Sequence, residues 1–91
     1  MSTPVGARVL AVRDGKEGTL HVYGRGIFVG HERPPGDWPE GYTNPKIELD
    51  GGGVAWGNQC WWGPLEQWEA KYGVWEWLDV PLPAAEEPEA T

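Results

Sequence analysis

The chain has 91 residues, a net charge of −7, one cysteine and seven tryptophans within an aromatic fraction of 12%. That length fits one small domain; one cysteine beside two separated histidines excludes an intramolecular disulfide and a zinc set, and no run of about 18 apolar residues is present to cross a bilayer. Three acids, Glu86, Glu87 and Glu89, lie in the tail and leave −4 for residues 1–80, which argues against a nucleic-acid backbone as partner and leaves a basic protein open.

Residues 1–6 read as a flexible N-terminus without the basic start and apolar run of a secretion signal, and with the lone cysteine this suggests a reducing cytoplasm. Residues 7–80 read as one small β domain, because 14 glycines and nine prolines cut the chain into short pieces. Residues 8–13 alternate as a strand, 14–18 form a turn and 19–23 return as the second arm of a hairpin. Gly24-Arg25-Gly26 then interrupts, as a tight turn or bulge, before a third strand over 27–31. Residues 33–44, with three prolines and two glycines, read as a long surface loop of the kind that often carries function.

A second hairpin is expected from 45–50, a turn at Gly51-Gly52-Gly53 and a return over 54–56. The only helical pattern spans 65–72, with Pro64 in the first turn, Glu66 near the N-terminus and Gly73 as C-cap. Leu65, Trp68 and Tyr72 share its apolar face. Residues 74–80 alternate Val74, Glu76, Leu78 and Val80 against Trp75, Trp77 and Asp79, and apolar bulk on both sides predicts an interior or barrel-closing strand. Beyond it, 81–91 reads as a disordered acidic tail. Five to six short strands and one helix give a mainly β fold: a small bent antiparallel sheet or an SH3-like, partly open barrel.

Few residues suggest chemistry. Cys60 would need His21 or His31 as a base and reads instead as a core filler. Both histidines read as structural, and Glu66 and Glu69 as a solvated helix face. Gly24 to Gly30 lacks the spacing and the following helix of a phosphate loop. No catalytic residue, metal or cofactor is expected.

The tryptophans carry the functional question, since Trp is seldom wholly buried. In one reading Trp56, Trp68 and one each of the Trp61/Trp62 and Trp75/Trp77 pairs build the core. In the other, Trp61, Trp62 and Trp75, with Trp38 and Tyr42 on the loop, make a recognition patch, and Arg25 or Arg33 fixes an anionic group beside it.

Residues 44–50, Asn-Pro-Lys-Ile-Glu-Leu-Asp, followed by Trp56-Gly57-Asn58-Gln59-Cys60-Trp61-Trp62-Gly63-Pro64, resemble the N-P-x-I-x-L-D…W-G-x-x-C-W-W-G-P core of a group of short uncharacterised proteins of bacteria and their phages. The similarity extends over about residues 8–66, with Cys-Trp-Trp-Gly-Pro as its most specific piece. Several members carry a second cysteine where this chain has Asn58, so the resemblance implies that a two-cysteine site is not essential here. It implies a small cytoplasmic binding protein without a defined activity. The expected function is a non-enzymatic protein-binding module, such as an inhibitor or accessory factor; the alternative is a binder of a small aromatic or nucleotide-like ligand. No nucleic acid or membrane is expected as a partner, and a homodimer through a sheet edge or the Trp surface is left open.

Overall fold

In the computed structural model, which describes residues 3–82, β1 (Arg8–Lys16) and β2 (Thr19–Glu32) form one long antiparallel ribbon. Its two-residue turn puts both Glu17 (φ 53°) and Gly18 (φ 86°) in the left-handed region, the twist that suits a right-handed ribbon. Of the tight turn or bulge expected at 24–26, the turn and the separate third strand are overturned, since β2 runs through as a single 14-residue strand, while a register slip beside Gly24 supplies a bulge. The irregularity is taken up by bulges, since the register slips between Ala11 and Val12 and again between Val12 and Asp14. Gly26 serves close approach rather than turning, because a Cβ there would collide with the Glu48 carbonyl of the neighbouring strand.

β3 (Asn44–Leu49) and β4 (Val54–Trp56) make the second hairpin as its alternation predicts, with Ile47 opposite Ala55. β5 (Trp61–Pro64) is a strand that the sequence reading leaves unassigned; it lies antiparallel to β1, with Ala11 opposite Trp62 and Val12 opposite Trp61. β5 runs directly into α1 (Leu65–Tyr72), so Pro64 stands at the N-cap rather than in the first turn. β6 (Glu76–Asp79) pairs in parallel with Thr19–Val22 of β2.

The sheet order is β4-β3-β2-β1-β5, with β6 beside β2 on the flank that β3 uses further along. The fold is thus mainly β, a six-stranded bent sheet that is not closed, antiparallel apart from β6. The expectation of an interior or closing β6 is overturned: it has one neighbour and lies at an edge, with Leu78 exposed and Val74 before it 96% exposed.

Val9, Leu10, Ala11 and Val12 are all buried in succession because both faces of β1 are covered. On one face Val9 and Ala11 meet Phe28, Ile47 and Ala55, with Trp62, Cys60 and Leu82 against them. On the other, Leu10 and Val12 join Leu20 and Val22 beneath Leu65, Trp68, Tyr72, Trp75 and Trp77. Trp75 and Trp77 therefore both pack on the same core, each half-buried. Trp56 is buried, Trp62 and Trp68 are half-buried, and Trp61 is exposed.

The helix ends without a left-handed glycine. Gly73 has φ −62°, and a Cβ there would meet the Glu69 carbonyl, so glycine is required for space rather than conformation. The Tyr72 carbonyl instead accepts from the Trp75 N–H at 3.0 Å and the Trp77 indole N–H at 2.9 Å, which ties the helix end to β6. Pro4 to Gly6 is held by the Gly6 N–H on the Phe28 carbonyl at 2.7 Å. The tail beyond Leu82 and the first two residues lie outside the described residues. Among those described, no helix is long and apolar enough to cross a membrane.

Candidate functional site

Trp61 and Trp62 are neighbours on a strand and so face opposite sides of the sheet. Trp62 follows Ala11 and stacks on Phe28 with ring centroids 5.0 Å apart. Trp61 follows Val12 to the helix side, where it stays 72% exposed. There it lines a half-open cleft of about 260 Å³ with Trp68, Tyr72 and Trp75, floored by Val12 and Leu20.

Each wall has a separate cause. Trp68 and Tyr72 are one helical turn apart and touch at 5.3 Å. Tyr72 meets Trp75 edge to face at 5.0 Å, fixed by the Tyr72 carbonyl bond to the Trp75 N–H. Gly15 lets Trp75 settle, since a Cβ there would lie 2.8 Å from Leu20 and 3.3 Å from the Trp75 ring. The Trp61 ring has no stacking partner in the described structure and forms the open side.

Asp14 stands at the rim. One of its oxygens meets His21 Nδ1 at 2.6 Å and the other accepts from Arg13 Nε at 3.1 Å. The His21 hydrogen bond, with a smaller contribution from Arg13, holds this carboxyl below the usual carboxylate range. An adjoining hollow between β5 and α1 is lined by Trp61, Trp62, Gln67, Trp68 and Lys71.

The other candidates lie elsewhere. Trp38 and Tyr42 stack at 4.6 Å within the 33–43 loop. Arg33 donates to the Pro39 carbonyl at 2.9 Å and to that of Trp38, while the Trp38 indole donates to Pro35 at 2.9 Å. Asn44, buried, donates to the Tyr42 hydroxyl at 2.6 Å. These groups brace their own loop, and Trp38 lines a different hollow beside Trp56 and Asn58. Arg25 lies 5.2 Å over the Trp77 ring and lines a third hollow with Asp50 and Asp79. The structure therefore brings Trp61 and Trp75 together, sets Trp62 at their margin, and places Trp38, Tyr42, Arg33 and Arg25 apart from them.

Trp68, Tyr72 and Asp14 belong to the cleft, although their sequence pattern reads only as a helix face and a turn. Their signal is Trp68, Tyr72 and Trp75 in one short segment, more aromatic surface than an eight-residue helix can bury.

Cys60 is half-buried, with its Sγ donating to the Trp56 carbonyl at 3.4 Å. Burial pushes its thiol up to about 11, against a smaller opposing effect of the Val12 backbone. Among the described residues no group of three or more His, Cys, Asp or Glu is placed to hold a metal ion. No family model, no curated protein and no solved structure matches the chain.

Proposed function

We propose that the chain is a non-enzymatic protein-binding module whose contact surface is the aromatic cleft of Trp61, Trp68, Tyr72 and Trp75. The observation that carries this reading is Trp61: a tryptophan 72% exposed at a sheet edge, facing three further rings across an open cleft. A lone exposed apolar residue needs no explanation, but one that completes a concave aromatic surface is the kind of anchor that dominates protein interfaces. A cytoplasmic setting and membership of the Cys-Trp-Trp-Gly-Pro group belong to the same proposal. The acidic balance, −7 overall, favours a basic partner.

A small aromatic ligand is the second reading, because Trp61 and Trp75 line one cavity of about 260 Å³, near the lower size of small-molecule sites. Native mass spectrometry of the protein isolated gently from the cells that make it separates the two. A bound species of protein mass, kept by Trp38→Ala and lost with Trp61→Ala, is the expected result. A bound mass of a few hundred daltons would favour the second reading, and a bare monomer would refute both.

A further inference from the structure

We infer that the cleft receives a trimethylammonium head, the end of an N-methylated lysine side chain on the partner; this rests on the protein-binding reading above. Four electron-rich rings, from β5, α1 and the segment between α1 and β6, line one half-open space of about 260 Å³. Ring faces attract cations within about 6 Å of their centroids, and this chain already uses that chemistry once, with Arg25 held 5.2 Å over Trp77.

The polar lining decides which cation. Asp14 is the one carboxylate among the described residues that line the cleft, and each of its oxygens already has a partner, in His21 and Arg13. An unmodified lysine ammonium brings three N–H donors and a tightly held hydration shell. Asp14 stands at the rim with His21 and Arg13 already on it, and the Tyr72 hydroxyl is the other side-chain acceptor of the lining, so the cleft does not surround three N–H donors with acceptors. A trimethylated ammonium has no N–H to satisfy, sheds its water at less cost, and presents methyl groups to the Trp and Tyr faces. Arg13 partly offsets Asp14 locally, so the rings supply the attraction, while the net charge of −7 assists a cationic partner at longer range. Lys71 is a cation of the adjoining hollow, not of this cleft.

The test is a titration of the full chain, ¹⁵N-labelled, followed through its indole N–H resonances. The probes are choline, its neutral isostere 3,3-dimethylbutan-1-ol, and two peptides identical except for trimethyllysine or lysine. Choline should shift the Trp61, Trp68 and Trp75 signals saturably, and the isostere should bind at least about threefold more weakly. The trimethyllysine peptide should bind and outcompete the lysine peptide. Trp61→Ala should weaken choline binding by about three- to tenfold, and Trp38→Ala should leave it unchanged.

Equal binding of choline and its isostere would reduce the cleft to an apolar hollow and overturn the inference. Choline binding with exclusion of the trimethyllysine peptide would overturn the protein-borne occupant in favour of a free small ammonium compound. If a protein partner is retained on native mass spectrometry but choline neither binds nor competes with it, the ammonium inference falls while the protein-binding reading stands.

Discussion

Truncating Trp61 and Trp62 one at a time separates a binding residue from a structural one at adjacent positions. Trp61 has only about a quarter of its surface covered. For a side chain of about 200 Å² that is ~50 Å² removed from water, or about 1 kcal/mol at 25 cal/mol per Å². Trp62 is half-buried against Val9, Ala11 and Phe28, and it loses a ring stack as well as burial. Trp62→Ala should therefore cost ~3–5 kcal/mol, the usual range for removing a packed aromatic. A domain of this size has a total stability of about 5–13 kcal/mol. Urea unfolding followed by far-UV circular dichroism should show a small midpoint shift for Trp61→Ala. For Trp62→Ala the melting temperature should fall by more than about 12 °C. Equal costs, or a larger cost at Trp61, would refute the assignment of the two rings to opposite faces.

Cys60 should react with a thiol reagent at pH 8 about two orders of magnitude more slowly than an exposed cysteine, and at the ordinary rate in urea, because burial raises its pKa to about 11. Gly26→Ala should destabilise by ~1–3 kcal/mol in the same urea assay, since the new Cβ has the backbone of Glu48 in its way; an unchanged midpoint would contradict the close strand approach. Asp14 has its pKa lowered in the folded state, so the stability it adds is present above its unfolded value of about 4 and is lost as the pH falls through the folded value. Asp14→Asn should flatten that acid-side fall in melts recorded between pH 5 and 2, and an unchanged profile would count against the Asp14–His21 contact. Arg33→Ala should speed amide exchange over residues 33–43 while leaving β1 protected, because the guanidinium ties residue 33 across the loop to the Trp38 and Pro39 carbonyls.

The parts of the fold legible in the sequence are those where one face is buried and the other wet. Residues 45–50 alternate and form their hairpin with 54–56 as read, and Leu65, Trp68 and Tyr72 fall on the helix face that packs. The ribbon was harder because Asp14, Gly15 and Lys16 extend β1 beyond the core, where backbone pairing continues and the side chains carry no hydrophobic period. Gly24 and Gly26 look like punctuation, yet a bulge and a close strand contact use glycine as a turn does. β5 had no visible signature: four residues ending in Gly-Pro become a strand only because β1 offers an edge. Without that strand Trp61 and Trp62 read as one patch, since the opposition of neighbouring side chains follows from β pairing. Trp38, Tyr42 and Arg33 were legible as a loop cluster, but their mutual bonds depend on loop closure that spacing does not reveal.

The most direct test of the aromatic cleft as the binding surface is a ¹H–¹⁵N map of the tryptophan indole N–H groups in the complex with the protein partner. The signals of Trp61, Trp68 and Trp75 should shift while those of Trp38 and Trp56 stay in place. A shift at Trp38 with Trp61 unmoved would place the interface on the 33–43 loop and contradict the account.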